Sequence, residues 1–226
     1  MSETLPDLEH IRLGDRPLAV FDVDDVVLQF IVPFEAYLAS MGLRLVPRSF
    51  RLSGNIVRHE TGEALPEADI KATILGFFDT QETWQTPFAE AAGTLNALST
   101  SADIVFLTAM PPRYAGQRRR LLDSFGLPYP LIATENPKGP VVERLHAGRP
   151  LPLAFVDDMV RNLQSVADHA PQSLRLHMVP ESAIHRHAPR APESLARLCG
   201  WTDIAGLLAM HFAQDGTEPS RAALPT

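Results

Sequence analysis

A parallel β-sheet with helices on both faces is the α/β fold class that this sequence predicts, and three observations predict it. Short unbroken apolar runs recur at 18–21, 104–107 and 153–156. Runs of that length without polar alternation are strands buried on both faces. From residue 86 on, segments of helical period separate them, joined by short connections. Each run also gives way to polar residues at its end: Asp22 and Asp24, Thr108, and Asp157 with Asp158.

Residues 1–16 read as a polar lead-in, broken by Pro6 and Gly14. The strand at 18–22 follows. Phe30, Phe34, Tyr37, Leu38 and Met41 then recur at three- and four-residue spacing, a helix over 29–40 with Gly42 as its stop. Pro47, Gly54 and Gly62 punctuate 43–65, which predicts short helices and loops there. Pro66-Glu67 opens a helix carrying Ile70, Ile74, Leu75, Phe77 and Phe78, since proline suits the first turn and acids suit a helix N-terminus. Thr86-Pro87 opens another, to Leu98.

After the strand at 104–107 come a helix at 113–125, stopped by Gly126 and Pro128, a short strand at 129–133, and a helix at 140–147, closed by Gly148 and Pro150. The strand at 153–156, a helix at 159–168, a strand at 174–179 and an amphipathic helix at 201–212 complete the pattern. Residues 214–226 have little to pack and are expected to be loose. The strand–helix alternation, with right-handed crossovers, predicts a Rossmann-like core over 1–28 and 86–213. The mainly helical segment 29–85 breaks the rhythm and reads as a small cap inserted after the first strand.

Composition excludes several classes. The 226 residues are 45% hydrophobic and 21% charged, ordinary for a globular protein. A net charge of -7 argues against nucleic acid as a partner, which needs a basic surface. No apolar run approaches the ~20 residues of a membrane span, and the acidic start lacks the features of a signal peptide. One cysteine, Cys199, permits no internal disulfide and fits a reducing, cytoplasmic setting. It reads as a buried small apolar group rather than a catalytic thiol.

In an open parallel sheet, ligands bind beyond the carboxyl ends of the strands. Asp22 and Asp24 project to one side if the backbone is still extended there. Together with Asp157 and Asp158 they would converge on one place, at a cost unless a cation joins them. All-oxygen ligands suit a hard ion such as Mg²⁺. Of 20 Lys and Arg only two are lysines, Lys71 and Lys138. Lys138 stands at a helix start in a sheet-end loop, where it can pair with a carboxylate and an anionic substrate.

Asp22-x-Asp24, the strand ending at Thr108, Lys138, and the strand ending in Asp157-Asp158 resemble, in that order, the four motifs of the haloacid dehalogenase superfamily, most of whose members are phosphatases. The resemblance covers residues 18 to about 168. Asp25 stands where glycine is common in that family, and Val26-Val27 where threonine and an apolar residue are. The long interval between Asp22 and Thr108 puts the cap in the family's first cap position, similar to its 5'-nucleotidase-like and phosphoglycolate-phosphatase-like branches.

The resemblance implies a phosphatase acting on a small-molecule phosphate monoester. Asp22 would be the nucleophile that forms an aspartyl-phosphate, and Asp24 the general acid and base. Thr108 and the Ala109 N–H would bind phosphate oxygens, and Lys138 would cancel charge. Mg²⁺ would be held by Asp22, the Asp24 backbone carbonyl and Asp158, with Asp157 beside it orienting water or Lys138. Asn162, one turn on, would support this shell. Arg113 is a candidate substrate contact, as are Arg51, Arg58, His59 and Lys71 in the cap. Two rivals remain open: a phosphonate C–P hydrolase working through a Schiff base on Lys71, and a non-catalytic protein of the same fold. Arg118-Arg119-Arg120 reads as a solvated helix face, His185-x-His187 as an isolated pair with a weak claim to a metal, and Trp84 with Pro87 as hinge-adjacent.

Overall fold

The computed structural model describes residues 5–192, 195 and 197–214. Its central sheet has six strands: β1 (Leu18–Phe21), β4 (Asp103–Thr108), β5 (Leu131–Ala133), β6 (Leu153–Asp157), β7 (Leu174–Met178) and β8 (Arg197–Leu198). Their order is β5-β4-β1-β6-β7-β8, and every neighbouring pair is parallel. β1 therefore lies inside the sheet, with all four of its side chains buried.

Side chains that alternate along each strand feed two separate cores. Ala19, Phe21, Ile104, Phe106, Ala154 and Val156 face α4 (Ala91–Leu98), α5 (Ala115–Ser124) and α8 (Trp201–Gln214). Leu18, Val20, Val105, Leu107, Leu153 and Phe155 face α6 (Lys138–His146) and α7 (Val160–His169). Burial on both faces is why these strands read as unbroken apolar runs.

Segment 29–85 holds α1 (Ile31–Ser40), β2 (Leu43–Leu45), β3 (Ile56–Arg58), α2 (Glu67–Asp79) and the one-turn α3 (Gln81–Trp84). It has an apolar cluster of its own, with Phe34, Leu38, Ile56, Ile70, Phe77 and Phe78 packed together and against Met110 and Tyr114. β2 and β3 pair antiparallel, so 43–65 contains a small sheet where short helices were expected.

Other departures have local causes. Thr86, Pro87 and Phe88 are not helical. The Gln29 N–H donates to the Thr86 carbonyl at 2.9 Å and the Phe88 N–H to the Val27 carbonyl at 3.0 Å, so the returning chain lies extended beside the departing one. Helix α4 begins only at Ala91. The lead-in is not simply polar: Ile11 is buried, Leu5, Leu8 and Leu13 pack on the α6–α7 core, and Arg16 pairs with Asp103 at 2.6 Å. Cys199, expected inside, is exposed just past the edge strand β8. Gln214 is the last residue of α8; residues 215–226, expected to be loose, lie outside the described residues. Among the described residues, no helix is long and apolar enough to cross a membrane.

Candidate active site

The parallel register carries the acidic residues to one edge. Phe21 lies opposite both Phe106 of β4 and Val156 of β6. Asp22, the next residue, still donates its N–H to the Val156 carbonyl at 2.9 Å, and so emerges beside Asp157, the last residue of β6. Thr108 ends β4 on the other side. The chain then turns tightly: the Val23 carbonyl accepts the N–H groups of Val27 at 2.9 Å and Leu28 at 2.8 Å. Asp25 takes a left-handed conformation there, φ 58°. Its Oδ1 accepts the N–H groups of Phe30 at 2.8 Å and Ile31 at 3.3 Å, capping the start of α1.

Lys138 is the hub. It is 1% exposed, and its Nζ donates to Asp22 Oδ1 at 2.6 Å and Asp157 Oδ2 at 2.7 Å. Gly139 lets it get there. A Cβ at that position would stand 2.1 Å from the Ser165 carbonyl oxygen, so only glycine allows α6 to start this close to α7. Asp157 is saturated by protein donors: Lys138, the Met159 N–H at 2.8 Å, and Asn162 Nδ2 at 3.0 and 3.1 Å. The Asp158 carboxylate, by contrast, lines the cavity. His185 Nε2 lies 3.5 Å from that carboxylate.

Carboxylate oxygens of Asp22, Asp157 and Asp158 lie within 4.8 Å of one another, all buried. Three carboxylates against one ammonium leave two negative charges over, and the donors are hard oxygens. Both features fit a divalent cation such as Mg²⁺. The electrostatics of the site reflect the same excess. Burial pushes the Asp22 carboxyl well up, Lys138 opposes this, and Asp157, Asp158 and Asp24 add to it. Burial likewise raises Asp158, reinforced by Asp157 and Asp25. Burial works against the charge on Lys138, but Asp157 and Asp22 outweigh it and hold the ammonium above the ordinary lysine value. Asp25 is pushed up to about 6, again mainly by burial.

Asp24 is held from the opposite direction. Its Oδ1 is 3.0 Å from Arg118 Nη2 and accepts Gln85 Nε2 at 2.8 Å, while the Thr108 hydroxyl is 3.4 Å from its Oδ2. Arg118 is fully buried, which corrects the reading of 118–120 as a solvated face. Arg120 faces outward and pairs with Glu82, while half-buried Arg119 pairs with Asp123 and donates to the Leu127 and Tyr129 carbonyls. Position 118 falls on the apolar stripe of Tyr114, Leu121 and Leu122, and that spacing was a usable signal.

A cavity of about 460 Å³ opens over this edge. It is lined by Asp22, Asp24, Thr108, Ala109, Asp158 and Asn162, and by Phe30, Phe50 and Phe78. Of the candidate substrate contacts, Arg51 lines it; Arg58, His59 and Lys71 are exposed and do not. Arg113 lies over the Tyr114 ring at 4.7 Å and donates to its hydroxyl at 3.0 Å instead of reaching the cavity. Exposed Lys71 gives a Schiff-base reading no support. Residues not expected at the site also take part: Arg161 and His185, which line the cavity, and Gln85 and Arg118, which hold Asp24. His185 is buried, its Nδ1 2.7 Å from the Ser182 hydroxyl and its pKa lowered by burial. No sequence signal marked it apart from its partner His187.

No family model matches the sequence, and no curated protein does. Solved structures do. A conserved haloacid dehalogenase-like protein of unknown function from Agrobacterium tumefaciens superposes with a TM-score of 0.57 at 15% identity, covering 85% of this chain and 97% of its own. A haloacid dehalogenase (HAD) family hydrolase from Deinococcus radiodurans, with bound phosphate and sodium, gives 0.50 at 16% identity, over 86% and 95%. A protein described as a predicted phosphoglycolate phosphatase from Haemophilus somnus gives 0.52 at 13% identity, over 85% and 96%.

Proposed function

We propose that this chain, which has the haloacid dehalogenase-like hydrolase fold, is a phosphatase that hydrolyses a small-molecule phosphate monoester through Asp22. The observation that carries the reading is the convergence of Asp22, Lys138, Asp157 and Asp158 at one sheet edge, beside Asp24 and Thr108. Asp22 Oδ1 is engaged by Lys138, and among the described residues its other oxygen takes no hydrogen bond. That oxygen attacks phosphorus and forms an aspartyl-phosphate. The bond to the leaving oxygen breaks, its electron pair stays on that oxygen, and a proton from Asp24 completes the alcohol. Water then attacks phosphorus, gives its proton to Asp24, and returns the electron pair to Asp22 as phosphate leaves.

Thr108 and the Ala109 N–H, both on the cavity wall, would bind phosphate oxygens. The Lys138 ammonium offsets the repulsion between Asp22 and the phosphate dianion. Asp22 and Asp158, with the Asp24 carbonyl, would hold Mg²⁺, while Asp157, spent on Lys138 and Asn162, orients the lysine. When bound, Mg²⁺ supplies charge neutralisation for the transferring phosphoryl group. Arg51 and Arg161 on the cavity wall, with the apolar ring of Phe30, Phe50 and Phe78, fit a leaving group that joins an apolar part to an anionic one.

The test is phosphate release from a panel of nucleotides, sugar phosphates, phosphoglycolate and aryl phosphates, with Mg²⁺ and with chelator. Release should require Mg²⁺ and fall to background in Asp22→Asn, with folding retained. Turnover that survives that substitution would end the proposal.

A further inference from the structure

We infer that Arg118, with Gln85, is the positioning residue that holds Asp24 for proton transfer and ties it to the chain returning from segment 29–85. This rests on the reading of Asp24 as the proton donor and acceptor. The geometry separates the two oxygens of Asp24. Arg118 Nη2 and Gln85 Nε2 both engage Oδ1, at 3.0 and 2.8 Å. Oδ2 is left towards the Thr108 hydroxyl and the phosphate end of the cavity. The Gln85 amide N–H can only donate, and the Arg118 guanidinium is a cation beside the same oxygen, so Oδ1 stays the acceptor in both protonation states. The transferable proton is thereby confined to Oδ2. It moves from Oδ2 to the leaving oxygen as the P–O bond breaks, and is replaced from the attacking water in the second step.

Packing alone does not explain Arg118. It has no exposed surface, and its Nη1 has no partner among the described residues. A buried guanidinium faces a desolvation penalty that Leu or Met at the same place would avoid. Every partner it has belongs to Asp24 or to the return path. Its Nε donates to Gln81 Oε1, Nη2 also donates to Gln85 Oε1 at 3.0 Å, and Gln81 is fixed to the Phe78 carbonyl at 2.7 Å. Gln85 further donates to the Gln29 carbonyl at 3.0 Å, across the departing chain. One buried network thus runs from α2 and α3 through α5 to the acid.

The experiment compares kcat/KM for a series of aryl phosphates, from phenyl to dinitrophenyl, in wild type, Asp24→Asn, Arg118→Met, Arg118→Lys and Gln85→Leu. An ester of an acidic phenol needs little protonation on departure; phenyl phosphate needs much. Arg118→Met should lose about 100-fold on phenyl phosphate, within the range of general acid catalysis, and less than about threefold on dinitrophenyl phosphate. Asp24→Asn should show the same steepened dependence, and Arg118→Lys should recover part of it. An equal loss across the series in Arg118→Met, with Asp24→Asn steepened, would overturn the role of Arg118 alone. A flat series in Asp24→Asn would overturn the reading of Asp24 itself. If Arg118→Met does not fold, Gln85→Leu carries the comparison, with the same expected steepening and the same overturning result.

Discussion

Asp25 ionises against its surroundings. It is buried beside Asp24 and Asp158, and its carboxyl is pushed up to about 6 from a value near 3.8. Below both values the group is protonated in folded and unfolded chains alike. As pH rises between them the unfolded chain loses its proton first, so folding loses stability, and above 6 the loss is constant at up to about 3 kcal/mol. Asn can keep the Oδ1 bonds to Phe30 and Ile31 and tolerates positive φ. Asp25→Asn should therefore be more stable than wild type above pH 6, by a margin that shrinks to nothing near pH 4. Urea unfolding at several pH values measures it, and a margin independent of pH would refute it. Gly139→Ala should destabilise by about 1–3 kcal/mol and lower activity with it, since Lys138 must shift as α6 is pushed off Ser165; paired melting and rate measurements check this. At this scale Asp22, Thr108, Lys138 and Asp157 were legible because each sits where a buried strand or a helix meets the sheet edge. Arg118 was hidden by its place in a run of three arginines, because charge runs are read as a block while helix faces are set residue by residue.

Helices and strands of strong period were legible to within a few residues, and the exceptions have two causes. β2, β3 and β8 are two or three residues long, too short for alternation to register. Thr86–Phe88 were misread because their structure is set by residues 27–29, far away in sequence. Segment 29–85 is stabilised by ring packing: Phe77 meets Phe34 at 5.3 Å, Phe30 at 5.3 Å and Tyr37 at 5.5 Å between centroids. Phe77→Ala should cost about 3–5 kcal/mol. Amide exchange should then rise in α1 and α2 before it rises in β1, β4 and β6; uniform acceleration would mean that the segment shares the stability of the sheet.

For the whole molecule, the parallel sheet turns sequence distance into proximity: residues from 22 to 158 meet at one edge because β1 lies between β4 and β6. The fold class was legible for that reason, and segment 29–85 stood out because it breaks the alternation. Two uncompensated negative charges at that edge predict a dependence of global stability on divalent cation. Saturating Mg²⁺, at about 100 times its Kd, should add about 2.7 kcal/mol, and Asp158→Asn should abolish the gain; a melting temperature indifferent to Mg²⁺ would count against the cation site. The sheet also closes on its far end of sequence. Trp201 Nε1 donates to the Val26 carbonyl at 3.0 Å, and its ring stacks on Phe21 at 5.5 Å. Asp22 and Asp24 leave the ribosome well before Trp201, so the loop that presents them waits for a clamp 175 positions on from Val26. Nascent or truncated chains that extend past Asp158 but stop short of Trp201 carry all four motifs without that clamp, so the loop should be held in place only once residue 201 has been made.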